Sequence, residues 1–364
     1  MPRVTVAPWI TTPRLVLREP RPDDLADYIR LHTDPRTYSH APDAMPDEDG
    51  CRERLERDLA EWEQEGLGYA AVLDARSGSV VGWAGLQVVR DGEPGGELGG
   101  EPHLNLYYRL AYEVLGRGHG RELARAVTAW ALEHRPDLPV QAAVDPGNDR
   151  SLATARAAGL RDVGLGEPRR GSAVHPMHLL RAPVVEDVPA DHAPVDDLLD
   201  LWTRVNDAGG AVGFLPGAPR TEVLAALRPH LVGLEAGTAR LVTLREHDGA
   251  LRGFGFWHHG ARLPFEHVAV LKRLMVDPGE QGRNLGRLLL AGMVGVARRE
   301  LPRVELLRLD YRSGLGLGDF YASCGWHEVG RIPLGLWLGG DDYRDEVQMA
   351  RRVDGAALTV DGRT

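Results

Sequence analysis

Lysine is almost missing from this chain: of 43 basic residues in 364, all but Lys272 are arginine, a mark of GC-rich coding that says nothing of mechanism. Cysteine is nearly as scarce. Cys51 and Cys324 are too few for a disulfide framework, and no Cys/His spacing resembles a structural zinc site, so no metal is expected and a reduced, cytoplasmic protein is the simplest reading. Long apolar runs are absent as well. Nothing approaches the roughly 18 apolar residues of a membrane span, and the opening MPRVTVAPWITTPRLVLREP lacks the apolar core of a signal peptide, so no membrane partner is expected. A basic excess is also missing, since 43 basic against 53 acidic residues leave a net charge of −10. Duplex-binding proteins more often carry clustered positive charge, which argues against a nucleic-acid partner.

What remains is an ordinary globular composition, 43% hydrophobic and 26% charged, at a length that favours two domains. The first half reads as a strand at Leu15 to Arg18, a helix opening near Pro22, and an amphipathic helix from Asp47 to Glu65. Strands follow at Gly68 to Ala75 and Ser79 to Val89, then a loop of glycine and acid, then HLNLYYRL. There Leu104, Leu106, Tyr108 and Leu110 alternate with Asn105, Tyr107 and Arg109, the pattern of a half-buried strand. The next helix puts Leu123, Ala126, Val127, Trp130 and Ala131 on one face. A strand at Val140 to Asp145, a helix from Asn148 to Ala158 and a strand near His175 to Ala182 complete the half.

After a Pro- and Asp-rich stretch the order repeats. The strand VVEDV, helices through VDDLLDLWTRVN and TEVLAALRPHLVGLE, and strands at ARLVTLRE, LRGFGFWHH and HVAVLKRLMV lead to a second glycine turn. A helix, the strand ELLRLDY, a helix in GDFYASCGW and a strand near DEVQMARR then follow. Two copies of one fold explain this economically, giving domains at 1–182 and 183–354 and a disordered tail at 355–364. The arginine and glutamine that open the two turns stand 281 − 117 = 164 residues apart, a whole domain and too long for a solenoid repeat.

Both turns join a strand to a helix, whose N-terminus offers unpaired N–H groups and a partial positive charge to an anion. In GRGHGRE, Gly116, Gly118 and Gly120 let the backbone approach a diphosphate while Arg117 and Arg121 add charge. In QGRNLGR, Gly282 and Gly286 stand with Arg283 and Arg287. Neither turn has the Gly-Lys-Ser/Thr of a P-loop or the dinucleotide G-x-G-x-x-G. A plain glycine-rich turn is the bland alternative, and its repetition at matching positions counts against it.

Arg117-Gly118-His119-Gly120-Arg121-Glu122 and Gln281-Gly282-Arg283-Asn284-Leu285-Gly286 resemble the R/Q-x-x-G-x-G/A acyl-CoA loop of the GNAT acetyltransferases. The first half resembles the ribosomal-protein N-terminal acetyltransferase branch through TPRLVLREPRPDD, VVGWAGL, LGRGHGRE and the helix holding Asn148 to Ser151 and Ala157 to Leu160. The second resembles a generic member ending in FYASCGW. The resemblance implies an α/β (α+β) protein of two consecutive GNAT folds, each a mixed, mostly antiparallel sheet flanked by helices. It also implies acetyl-CoA as donor, with its pyrophosphate on the loop residues, including Glu122, Leu285 and Arg287. Strand amides at Tyr108 and Leu110, and at Leu274 and Val276, would serve the pantetheine arm and the thioester carbonyl.

By the same resemblance Tyr321 is the acid for the departing thiolate, against the alternative of a packed core ring. Ala155 takes that place in the first half, where Ser151 matches the serine of the branch. Asn148 either caps its helix or touches the cofactor. The fourth strand carries Asn105 and Val270 where a glutamate is common, and Asn284 replaces the middle loop glycine. Glu266 and His267 are candidate bases or a solvated strand entrance, and the pair His258-His259 reads as a strand end. The expected activity is transfer of acetyl to a primary amine of a small metabolite or antibiotic, weakly favouring a cationic acceptor on net charge. Alternatives are a protein or peptide N-terminal acetyltransferase, or one half serving as a non-catalytic acyl-CoA scaffold. The assembly is expected to be a monomer, with the two halves as a pseudo-dimer, or a homodimer.

Overall fold

Apolar residues at every second position commit a segment to a strand only when a partner strand accepts its backbone groups. In the computed structural model, which describes residues 8–39, 41–90, 101–166 and 176–358, two sheets provide those partners. The chain divides into two compact units, Met1–Ala131 with Arg135–Pro183, and Leu132–His134 with Val184–Thr364. His175, residues 91–100 of the glycine and acid loop, and residues 359–364 of the tail lie outside the described residues.

The first unit holds β1 (Ile10–Thr11), β2 (Leu15–Arg18), α1 (Leu25–His32), α2 (Glu48–Glu65), β3 (Tyr69–Asp74), β4 (Val80–Val89) and β5 (His103–Leu110). After these come α3 (His119–His134), β6 (Val140–Val144), α4 (Asp149–Ala157), β7 (Arg161–Gly166) and β8 (Met177–Arg181). The sheet runs β1-β2-β3-β4-β5-β6-β8-β7, and among the described residues only β5 and β6 pair in parallel. Leu104, Leu106 and Leu110 join Leu123, Val127, Leu152 and Ala155 in the core under α3 and α4. On the other face Tyr28, Cys51 and Leu55 of α1 and α2 close over Ala71 and Trp83. With both faces covered, β5 is not half-buried as its alternation suggests. Asn105 on the polar row is buried and donates its Nδ2–H to Tyr69 Oη at 2.7 Å.

The second unit contains β9 (Val184–Val188), α5 (Val195–Asp207), α6 (Arg220–Glu235), β10 (Ala239–Arg245), β11 (Leu251–His259) and β12 (Val268–Val276). It continues through α7 (Leu285–Glu300), β13 (Leu306–Arg312), α8 (Leu317–Ala322), β14 (His327–Trp337) and β15 (Tyr343–Arg352). The order is β14-β15-β13-β12-β11-β10-β9, with β12 and β13 the one parallel pair among the described residues. Both sheets are therefore mixed and mostly antiparallel, flanked by helices. Three strands escape the sequence pattern: the two-residue β1, and β7 and β14. β7 and β14 are glycine-bearing and largely exposed, and they exist because an edge of β8 or β15 accepts them.

In each unit the parallel pair separates part-way along. β5 and β6 are in register only at Leu104↔Val140 and Asn105↔Gln141, although β5 continues to Leu110. β12 and β13 are in register from Val268↔Leu306 to Leu271↔Leu309, although β12 continues to Val276. The far end of each central strand thus keeps one neighbour and loses the other.

Candidate functional site

The turns after β5 and β12 have the same backbone. Gly118 is the N-cap of α3 at φ 80° and ψ 3°, and Asn284 is the N-cap of α7 at φ 70° and ψ 0°. Glycine accepts this left-handed conformation freely, and asparagine is the side chain that tolerates it best. Gly116 and Gly282 precede them at φ 75° and 82°. The equivalence is therefore 284 − 118 = 166 residues. This corrects the 164 taken from the sequence: Gln281 corresponds to Leu115, not to Arg117. The repeated Arg-Gly spacing of GRGHGRE hides the shift, which backbone angles resolve.

In α3 the first N–H bonded within the turn is that of Glu122, to Gly118 O at 3.1 Å. The N–H groups of Gly118, His119, Gly120 and Arg121 have no acceptor among the described residues, the donor set an anion needs. In α7 Arg287 and Leu288 already bond back to Asn284 O, leaving Leu285 and Gly286. His119 and Leu285 are buried, so their side chains offer nothing to a ligand at the turn. Arg117 and Arg121 are exposed. Arg283 pairs with Glu280, and Arg287 donates to Ser323 O and Oγ at 2.7 Å.

Glu122 faces away from the turn. Its carboxylate accepts from Thr12 Oγ1 at 2.7 Å and from Arg14 Nε at 2.6 Å. Burial pushes this acid up, but those hydrogen bonds outweigh it and hold the carboxyl below its usual range. Its work is to fix Arg14, whose Nη1 donates to Arg117 O at 2.8 Å and whose Nη2 lies 3.5 Å from where a Cβ on Gly118 would stand. Arg14 thus adds a cation at the turn that the sequence pattern did not point to. The signal was a polar pair 108 residues apart, which no local period reveals.

The separated strand edges carry the next donors. Leu104 sends its N–H to Pro139 O, toward the β6 side, and Ala111 sends its N–H to Val81 O, toward β4. Alternation along a strand therefore aims the N–H groups of Leu106, Tyr108 and Leu110 at the edge that β6 has left. In the second unit Asp277 N–H reaches Arg252 O on the β11 side, so Val276 and Leu274 turn theirs to the edge that β13 has left. The two devices differ in one respect. β12 has an irregularity opposite Gly255, where Arg273 adopts φ 59° and neither Arg273 nor Leu274 has a cross-strand partner, whereas β4 and β5 pair without interruption.

The side chains sort as follows. Tyr108 Oη lies 3.0 Å from Ser151 O and 2.9 Å from Ser151 Oγ. A carbonyl only accepts, so the phenol hydrogen goes to Ser151 O and Ser151 Oγ donates to Tyr108. Burial pushes the Tyr108 phenol up to about 12. Asn148 Oδ1 accepts from Ser151 N at 3.0 Å, which makes it the N-cap of α4. Asn148→Ala is expected to lower stability by about 1 kcal/mol, read as a fall in the denaturant midpoint.

Tyr321 on α8 is buried against Tyr311, Phe320 and Trp326, and burial raises its phenol well above the ordinary value. Trp326 N–H closes on Tyr321 O as Leu160 N–H closes on Ala155 O, so Ala155 does occupy the matching position. Glu266 pairs with Arg303 at 3.3 Å and, like His267, precedes β12. Seven residues of strand at about 3.3 Å each put His267 some 23 Å from Leu274, too far for a base there. His258 is bound by its partner at 2.7 Å, His230 Nδ1, and is no simple strand end.

Residues 14–161 match the family model described as an acetyltransferase (GNAT) domain. This stretch is a GNAT acetyltransferase domain. The chain is accordingly an N-acetyltransferase. Solved structures similar to it include a protein assigned to the GnaT family of acetyltransferases from Bordetella pertussis, 25% identical, covering 48% of this chain and 98% of that one with a TM-score of 0.40. An acetyltransferase from Agrobacterium tumefaciens str. C58 is 24% identical over 48% of this chain and 94% of its own, TM-score 0.39. A spermidine N-acetyltransferase from Vibrio cholerae, solved with CoA and spermine, is 14% identical over 48% and 96%, TM-score 0.39. The GNAT match begins at Arg14 and spans the α3 turn, β5 and Ser151. Among the described residues no helix is long and apolar enough to cross a membrane.

Proposed function

We propose that the chain uses acetyl-CoA to acetylate the primary amine of a small molecule by direct attack of the amine on the thioester, and that both units, 1–182 and 183–354, are GNAT folds. One observation carries the reading. Each unit places a left-handed N-cap turn after a strand whose outward N–H groups face an edge abandoned by its parallel neighbour, at one constant offset: 284 − 118, 274 − 108 and 276 − 110 are all 166. The family match on the first unit supports the activity.

The residues present fit a diphosphate and a thioester. Four N–H groups at the α3 turn, with Arg14, Arg117 and Arg121 beside them, suit an anion, and Gly120 keeps the approach open. Acetyl-CoA, when bound, supplies an acetyl group on an activated thioester. The N–H groups of Tyr108 and Leu110 would orient the carbonyl in the first unit, and those of Leu274 and Val276 in the second; such donors are worth about 3 kcal/mol to a developing oxyanion. Tyr321, held protonated by burial, keeps a hydrogen at Oη for the thiolate. In the first unit Ser151 would take that role by turning its hydroxyl hydrogen from Tyr108 Oη to the thiolate. The lack of a phenol at Ala155 favours one alternative, in which the first unit binds the donor without turnover.

Titration calorimetry of the full chain with acetyl-CoA tests this. Two sites, together with CoA release that depends on an added primary amine, are expected. One site would restrict the proposal to a single unit, and no binding would end it.

A further inference from the structure

On the face of β5 away from α3 and α4, Asn105, Tyr107 and Arg109 project toward α1 and the segment before α2. His32 Nδ1 faces Tyr28 O at 2.9 Å and therefore carries the ring hydrogen, leaving Nε2 to accept from Tyr107 Oη at 3.2 Å. Tyr107 Oη in turn accepts from Arg109 Nε at 3.0 Å. Arg109 Nη1 donates to Thr37 O and Oγ1 at 3.0 and 3.1 Å, and the guanidinium carbon stands 3.7 Å over the Tyr38 ring. The arginine is locked in place, yet among the described residues no carboxylate pairs with it. Among the described residues its Nη2 has no acceptor, and it is not sealed from solvent.

A second, independent observation lies in the ring beneath. Tyr38 is 2% exposed, and its hydroxyl is buried with no partner among the described residues. Leaving a buried hydroxyl unpaired costs about 1–3 kcal/mol. Two unused donors, one cationic, thus sit together beside the strand whose next residue, Tyr108, aims its N–H at the open edge. Arg54 adds positive potential to the same group of side chains, acting on both His32 and Tyr38.

Resting on the acetyltransferase reading above, we infer that the amine acceptor of the first unit carries a carboxylate, held by Arg109 Nη2 and Tyr38 Oη. The amine to be acetylated belongs to an amino-acid-like molecule. Local donors outrank the net charge of −10, which pointed weakly to a cationic acceptor but locates no patch. A polyamine would meet two arginines and an imidazole kept neutral by burial, and among the described residues no carboxylate pairs with Arg109 or Tyr38.

The test compares the protein amino acids with their amides, compounds that share the amine and side chain and differ only in the α-carboxylate. CoA release by the full chain is expected to favour acids over amides at least tenfold in kcat/KM, with the difference in KM. Arg109→Gln should bring that ratio near one while calorimetric affinity for acetyl-CoA stays unchanged, and Arg109→Lys should keep part of it. Since Arg109 also ties down Thr37, Tyr38→Phe is the companion variant: it removes a hydroxyl unpaired among the described residues, so stability holds or rises while KM for the acids rises. A ratio of one or below in the wild type, or no acid acetylated, overturns the inference while the acetyltransferase reading stands. Absence of acetyl-CoA binding is a different result and counts against that reading instead.

Discussion

Gly120→Trp is expected to remove acetyl-CoA binding from the first unit, weakening it at least about 100-fold and lowering the calorimetric stoichiometry by one site. Gly120 has ordinary helical backbone angles, so the effect is one of space. A Cβ there would meet Leu110 Cδ1 at 3.7 Å and the Thr154 side chain at 3.8 Å, normal contacts that a methyl group makes without strain. An indole cannot fit beside them and must occupy the approach to the N–H groups of residues 118–121. Gly120→Ala is therefore the control that keeps binding. Gly286→Trp should act likewise in the second unit, where a Cβ would lie 3.5 Å from Phe320 Cζ. Overpacking costs about 1–3 kcal/mol, so thermal melts must show both proteins folded. Retention of full stoichiometry by folded Gly120→Trp would reduce the turn to a connection between strand and helix.

Asp58→Asn should raise stability at neutral and alkaline pH by as much as about 4 kcal/mol and change little near pH 4. Asp58 sits on α2, 8% exposed, and accepts from Trp83 Nε1 at 2.9 Å. Burial pushes its carboxyl from 3.8 up to about 7, with the Trp83 hydrogen bond pulling the other way. Between those two values the folded protein holds a proton that the unfolded chain has released. Stability therefore falls as pH rises through this window, and the full cost of ionising a buried acid persists above about 7. Asparagine keeps an oxygen for Trp83 and has nothing to ionise. Urea unfolding of both proteins between about pH 4 and pH 8 gives the comparison, and a difference that does not grow with pH would falsify the buried-acid account.

The two predictions draw on different kinds of information. The glycine was visible in the chain, because a strand pattern ending in closely spaced glycines before an apolar 3.6-residue repeat has few local solutions. The same locality made β5 legible to the residue, His103–Leu110, and placed α2 just after its Asp47 cap. Asp58 by contrast looked like one more acid on an acidic helix. Only the indole of Trp83, 25 residues away in sequence, makes it a buried group.

By itself the sequence determined the alternation of strands and helices and the two turns, because each depends on period and backbone freedom within a few residues. Tertiary structure decided the rest. It set the offset at 166 rather than 164, since a positive φ at Gly118 and Asn284 marks equivalence where similar letters do not. Edge pairing created β7 and β14 from segments with no buried face. Helices on both sides of the first sheet buried Asn105, spent Glu122 on Arg14, and left Arg109 and Tyr38 with donors to offer. Hydrogen bonds and burial join residues tens of positions apart, and no reading of neighbours along the chain contains them.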